Sequence, residues 1–155
     1  RYVASVANRG TVYNLTLLDS VRDSEGNVLK EYDANIYNHV VMPEENWDAI
    51  QKGMQQVVDA KVYFKDLGVR VAGKPGTAEQ SASRPTHSLF VAYASPYGEA
   101  PEIAITTRIL FGYSSDYAAQ TTHDILEYYY GLEAEEDIVT GEANTPDAGV
   151  SNNEI

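Results

Sequence analysis

Lys74-Pro75-Gly76-Thr77 lies within Val71-Ala72-Gly73-Lys74-Pro75-Gly76-Thr77-Ala78-Glu79 and brings an ammonium, a bare backbone and a hydroxyl into adjacent positions. The apolar run that leads into these residues reads as a strand, which would set the three groups along one accessible sheet edge. An ammonium and a hydroxyl suit a carboxylate, and a missing side chain lets an acyl group come close to the backbone. The chemistry served by such an edge is the holding of an acyl substrate that carries a carboxylate. Glu79 and Ser81 follow directly, either as contacts to a longer substrate or as a solvated strand end.

Several elements must position that edge. Strands are expected over residues 69–79, 88–95 and 102–111, and connections as short as 80–86 and 96–101 favour antiparallel neighbours. Ahead of them, residues 1–8 carry Tyr2, Val3, Val6 and Ala7 at helical spacing, with Gly10 just past the end. Runs at 15–22 and 28–32 flank Asp23-Ser24-Glu25-Gly26-Asn27 and read as a surface hairpin. Pro43 suits a first helical position, and Glu44, Glu45 and Asp48 favour the positive end of the helix dipole. That helix should run to about Ala60 and bury Trp47, Ile50, Met54, Val57 and Val58. After Gly112, Ser115 can cap a last helix that carries Ala118, Ala119, Thr122, Ile125, Leu126 and Tyr129 and ends at Gly131. Helix, hairpin, helix, strands and helix in this order describe an α+β layer structure with an antiparallel sheet packed against helices.

Other residue types point to less. His39, His87 and His123 are scattered, with no Asp or Glu at metal-ligand spacing to them, so no metal is expected; the histidines are assigned packing or surface roles, with a place at the border of the cleft as the alternative for His87. Of Tyr128-Tyr129-Tyr130, at least one should pack and another should face solvent, because neighbours on a helix point in different directions. Asn14-Leu15-Thr16 matches a glycosylation acceptor, a pattern too short to carry weight.

Composition sets outer bounds. The chain has 155 residues, 43% of them hydrophobic, enough for one domain with a core, and no run of 18 apolar residues that would span a bilayer. A net charge of -12 disfavours nucleic acid, whose backbone is met by clustered Lys and Arg. Without cysteine there are no disulfides and no thiolate metal sites. Residues 132–155 hold seven acids and no Lys or Arg, and this tail is expected to be disordered because it lacks apolar surface to offset its ordering entropy. Arg1 stands in the middle of a helical pattern, so the chain reads as part of something longer.

The lysine run resembles the Lys-Thr-Gly-Thr box that penicillin-binding proteins share with serine β-lactamases, and its flanking Ala-Gly and Ala-Glu are similar to the penicillin-binding proteins in particular. The resemblance, to class B penicillin-binding proteins, extends to Tyr2-Val3-Ala4-Ser5-Val6-Ala7-Asn8-Arg9-Gly10-Thr11, to the helix with Trp47 and Gly53-Met54, to His87-Ser88-Leu89-Phe90-Val91-Ala92-Tyr93-Ala94 and to Pro101-Glu102-Ile103-Ala104-Ile105. It covers residues 1–131 in the family's order and implies the C-terminal portion of a transpeptidase domain, followed by the acidic tail at 132–155.

What the resemblance implies is a serine acyl transferase that cross-links peptidoglycan stem peptides and is acylated by β-lactams. It implies no cofactor, an extracytoplasmic position at the bacterial membrane through an anchor outside this sequence, and a possible glycosyltransferase partner. On the same basis Lys74 would orient the substrate and tune the proton inventory of the nucleophile. Thr77 would give its NH to the oxyanion and its hydroxyl to the substrate carboxylate, and Pro75, Gly76, Ala78 and Glu79 would complete the substrate-binding strand. Pro75 departs from the family's threonine and removes a donor and a hydroxyl. The family's nucleophile motif Ser-x-x-Lys does not occur here, and Ser151-Asn152-Asn153, a match to Ser-x-Asn, lies after the lysine box, against the family's order. A β-lactam sensor or β-lactamase-like domain, and a non-catalytic binding module with a degenerate site, stay open as alternatives.

Overall fold

The computed structural model describes residues 1–133 and Ile138. The acidic tail and Ser151-Asn152-Asn153 therefore lie outside the described residues, apart from Leu132, Glu133 and Ile138. Helix α1 (Tyr2–Ala7) buries Val3, Val6 and Ala7 and stops where Arg9 and Gly10 take φ of 58° and 105°. Glycine is needed at position 10: a Cβ there would lie 2.2 Å from the Val40 carbonyl oxygen and 2.9 Å from the Trp47 ring.

The chain then forms an exposed arm. Strand β1 (Thr11–Tyr13) pairs antiparallel with β4 (Ile36–His39), and β2 (Ser20–Arg22) pairs with β3 (Val28–Glu31). The expected hairpin is present, closed by the Asp23 carboxylate, which accepts from the Glu25 and Asn27 backbone NH groups and from Asn27 Nδ2, each at 2.9 Å. These bonds, the Asn27 side chain first, hold the Asp23 carboxyl below its usual range. The expected run over 15–22 shortens to its last three residues, because Thr16 Oγ1 bonds both the NH and the carbonyl of Leu18 and offers the backbone a local alternative to a ladder. The β1–β4 pair was not anticipated from the sequence; its strands are three and four residues long and expose both faces of β4. Large apolar side chains, among them Leu17, Leu29, Ile36 and Val41, stand open on this arm.

Helix α2 (Glu44–Asp59) begins one residue later than expected. Pro43 is extended, with φ −53° and ψ 141°, and serves as N-cap rather than first helical residue. Trp47 and Val58 are buried and Met54 half-buried, whereas Ile50 is exposed; the polar Gln51 takes an inward place and donates to the Val6 and Ala7 carbonyls at 2.9 and 3.1 Å. Those are C-terminal carbonyls of α1, of which that of Val6 also accepts from the Arg9 NH at 3.3 Å. Arg9 adds hydrogen-bonded ion pairs to Glu44 (2.7 Å) and Asp48 (2.6 Å) that raise its pKa, so α1 is strapped to α2 by side chains spaced a turn apart. A short 3-10 turn (Val62–Phe64), absent from the sequence reading, then places Phe64 in the core.

The remaining chain forms the sheet and its cover. Strands β5 (Arg70–Ala78), β6 (His87–Ser95) and β7 (Ile103–Ile109) are antiparallel in the order β5-β6-β7, as expected. Helix α3 (Ser115–Tyr130) is capped by Ser114, not Ser115: Ser114 Oγ accepts from the Asp116 NH at 3.2 Å. It ends at Gly131, which takes the left-handed φ of 61°. Ala118, Ala119, Thr122 and Leu126 are buried, while Ile125 and Tyr129, assigned to the same face by sequence, are exposed. Tyr128 and Tyr129 face solvent and Tyr130 packs, as neighbouring helical positions require.

Two cores flank the sheet. On one side Val71, Phe90, Ala92 and Ala94 meet Ala118, Ala119 and Leu126 of α3 together with Val58 and Phe64; on the other Ala72 and Tyr93 meet Val3, Val6 and Ala7 of α1. Period-two alternation along β5 and β6 produces this division, since successive side chains leave opposite faces. A fully buried side chain such as Phe90 or Leu126 contributes about 1.5–3 kcal/mol on this basis.

Candidate functional site

Lys74 to Thr77 occupy the second half of β5, and among the described residues β5 pairs with β6 alone, so its other edge is open. The register runs unbroken from Arg70 opposite Ser95 to Ala78 opposite His87, with Pro75 opposite Phe90. Proline permits an unbroken register when its nitrogen points away from the partner strand, and alternation then turns the Thr77 NH the same way. Lys74 and Thr77 are exposed, Pro75, Gly76 and Ala78 half-buried, and Glu79 exposed just past the strand.

Alternation also separates two of these groups. Lys74 shares its face with Ala72 and lies opposite Val91, on the α1 side. Thr77 lies opposite Ser88, whose buried Oγ accepts from the Ala118 NH on the α3 side at 3.1 Å. The ammonium and the hydroxyl therefore leave opposite faces, and what they share is the open backbone edge between them.

Lys74 Nζ donates to the Pro75 carbonyl at 2.8 Å and makes no salt bridge among the described residues. Lys61, by contrast, is paired with Asp116, which also accepts from the Tyr63 hydroxyl at 3.2 Å. A lone ammonium at a sheet edge is available to an incoming anion.

The two glycines of the strand differ in cause. A Cβ at Gly73 would lie 2.4 Å from Phe90 Cζ, so this glycine is demanded by the core. A Cβ at Gly76 would meet nothing nearer than Leu89 Cβ at 3.6 Å, an ordinary contact, and Gly76 is not among the glycines with positive φ. Neither packing nor backbone conformation accounts for glycine at 76.

Beyond the strand, Ser81 Oγ is engaged with Ser83 at 3.0 Å, inside the connection. His87, given a packing role from sequence, is buried at the start of β6 with both ring nitrogens bonded, to Gln80 and to the Phe111 NH. No local pattern announces this, because the partners lie 7 and 24 residues away. His39 is exposed, 3.4 Å from Thr11.

The expectation that no histidine has an acidic residue at ligand spacing is corrected: His123 Nδ1 lies 3.1 Å from Asp124 and 3.4 Å from Glu127, one helical turn on. Single ligand atoms of the three lie within 4.8 Å of one another. The signal was legible as a His-Asp-x-x-Glu spacing on α3. Burial, the largest influence, raises the Glu127 pKa against the opposing pull of His123. A cavity of about 250 Å³ lies between α2 and the start of β5, lined by Gln55, Asp59, Lys65, Arg70 and Tyr97 among others, and does not include Lys74 to Thr77.

Among the described residues no serine hydroxyl is hydrogen-bonded to a lysine or a histidine. The edge is equipped to hold and polarise an acyl group rather than to attack it.

Residues 1–127 match the transpeptidase family described as the penicillin binding protein transpeptidase domain. The peptidoglycan D,D-transpeptidase MrdA of Haemophilus influenzae is 30% identical, over 80% of this chain and 22% of that protein. Penicillin-binding protein 2B of Streptococcus pneumoniae superposes with a TM-score of 0.71 at 20% identity, over 85% of this chain and 24% of that one. An imipenem acyl-enzyme complex of penicillin-binding protein A from M. tuberculosis gives 0.66 at 22% identity, over 84% and 29%. The chain thus spans under a third of the length of these relatives.

Proposed function

Because this chain belongs to the penicillin-binding protein transpeptidase domain family, we propose that it forms one wall of the active site of a peptidoglycan D,D-transpeptidase, the activity named for its Haemophilus influenzae relative. The observation that carries the reading is the open half of β5: among the described residues, a Lys74 without a salt bridge, an edge with no neighbouring strand, and a glycine at 76 that neither packing nor backbone conformation requires.

In this reading the nucleophilic serine and its lysine come from a Ser-x-x-Lys segment outside the present sequence. The serine Oγ attacks the carbonyl between the two terminal D-alanines of a stem peptide and gives up its proton. The peptide bond breaks, D-alanine leaves with a proton, and an ester remains. A second strand's amine then attacks the ester, which restores the serine and forms the cross-link. The Thr77 NH stabilises the oxyanion in both steps, a class of donor whose loss costs about a hundred to a thousand fold in rate. Lys74 presents its charge to the substrate carboxylate from one face and the Thr77 hydroxyl approaches from the other, with Gly76 leaving the acyl group room between them. Pro75, Ala78 and Glu79 line the same strand, and Pro75 brings neither the NH nor the hydroxyl of the family's threonine.

β-Lactams mimic the donor and stall as acyl-enzymes, the state captured in the M. tuberculosis relative with imipenem. The protein would act on the outer side of the bacterial membrane, with residues 1–131 as the C-terminal portion of the domain and a glycosyltransferase as a possible partner. Labelling with fluorescent penicillin tests this. The 155-residue chain should not be labelled, whereas a protein that includes the upstream Ser-x-x-Lys segment should be labelled at that serine. Covalent labelling of the chain alone, or none of the longer protein, would overturn the proposal.

A further inference from the structure

The connection between β5 and β6 leaves the strand two residues after Thr77, and its two halves are held differently. Its second half is fastened to the turn that precedes α3. The Tyr113 NH donates to the Thr86 carbonyl at 3.2 Å, Thr86 Oγ1 donates to the Tyr113 carbonyl at 2.8 Å, and the Arg84 guanidinium lies 5.2 Å over the Phe111 ring. Its first half reaches that scaffold through the His87 side chain and, within the connection, through the Ser81 carbonyl, which accepts from the Arg84 NH at 3.1 Å. The Phe111 NH donates to His87 Nδ1 at 3.0 Å, which leaves the ring proton on Nε2, and Nε2 lies 3.1 Å from Gln80 Oε1. The imidazole is 4% exposed and its ring lies 4.8 Å from that of Phe111, itself at the positive φ of 55°.

We infer that His87 is a positioning residue for the substrate edge: a neutral imidazole of fixed tautomer that ties the segment leaving Thr77 to the turn before α3 through Gln80. His87 is the register partner of Ala78, so the tie acts on the residue next to Thr77. It holds residues 79–83 at the end of β5 that carries Thr77, where the portion of a stem peptide or β-lactam beyond the acyl group would lie. That second statement rests on the transpeptidase reading; the tie itself does not.

Gln80 is exposed, so Gln80→Ala removes the tie without disturbing the core. His87→Asn retains an acceptor for the Phe111 NH while losing reach to Gln80. Both variants should speed amide hydrogen exchange over residues 79–83 of the 155-residue chain about two- to tenfold, the worth of one hydrogen bond, with α3 unchanged. Nitrogen-15 spectra of the wild-type imidazole should show the Nε2–H tautomer. The opposite tautomer, or exchange unaltered in Gln80→Ala, would overturn the tie. In the longer protein, Gln80→Ala should weaken the initial β-lactam complex by a similar factor and leave the rate of the acylation step itself within about twofold. An unchanged complex would overturn the substrate role. A wild-type protein that is not acylated at all would remove the transpeptidase reading and that role together, while the exchange experiment still decides the tie.

Discussion

Gly73 and Gly76 stand three residues apart on one strand, and alanine at each should have opposite consequences. At 73 the added methyl would lie 2.4 Å from Phe90 Cζ, 2.8 Å from Cε1 and 3.2 Å from the Val91 carbonyl oxygen. Phe90 cannot swing aside, because it is wholly buried and stacks on Phe64 with ring centroids 6.0 Å apart. Overpacking of this kind costs about 1–3 kcal/mol. At 76 the methyl would meet Leu89 Cβ at 3.6 Å and Cδ1 at 3.9 Å, which is ordinary contact, and alanine restricts the unfolded chain more than glycine does. Gly76→Ala should therefore change stability by less than about 0.5 kcal/mol or raise it slightly. Urea unfolding of the purified chain measures both, through the shift in midpoint at constant slope. The same pair in a longer, acylatable protein should invert: Gly76→Ala should slow penicillin labelling at least tenfold without loss of fold. If Gly76→Ala proved as destabilising as Gly73→Ala, the argument that position 76 is kept open for a ligand would fail.

Three further outcomes follow from other parts of the fold. Ser114→Ala should lower stability by about 0.5–2 kcal/mol through loss of the α3 cap, whereas Ser115→Ala should stay within about 0.5 kcal/mol; equal effects would contradict the cap assignment. Pro75→Thr should preserve the fold, with a stability change below about 1 kcal/mol from greater freedom of the unfolded chain, and a larger loss in urea would mean that the edge is not open there. Burial holds the phenols of Tyr63, Tyr93 and Tyr130 above their ordinary range, so the folded state keeps protons that the unfolded chain releases. Stability should thus be full below about pH 10 and fall as pH rises beyond it, and phenolate absorbance should show a late-titrating group of tyrosines that vanishes in urea; one uniform titration in the folded chain would refute this.

The sequence was most legible where local chemistry and burial agree. Apolar, β-rich runs with short connections marked β5, β6 and β7, and a glycine that can take the left-handed conformation marked the end of α3 at Gly131. Chemistry-bearing residues at short spacing marked the Lys74 to Thr77 edge before any strand order was known. Reading was weaker wherever a distant partner decided the outcome. Ile50 and Ile125 fit an apolar stripe yet face solvent, because Gln51 on α2 and the small Ala118 and Ala119 on α3 take the contacts with α1 and the sheet. The short strands β1 and β4 owe their existence to each other rather than to propensity.

The amino-acid sequence by itself determined which residues could hold an acyl group, since charge, hydroxyl and missing side chain are properties of residue type and order. Only the tertiary structure decided that β5 is an edge, that Lys74 and Thr77 leave it from opposite faces, and that Gly73 serves the core while Gly76 serves nothing inside the fold. It also brought His87, Gln80 and Phe111 together. The physical reason is that strand order, facing side chains and hydrogen-bond partners depend on contacts between segments far apart in the chain, and these form only when the sheet closes against α1 on one face and α3 on the other.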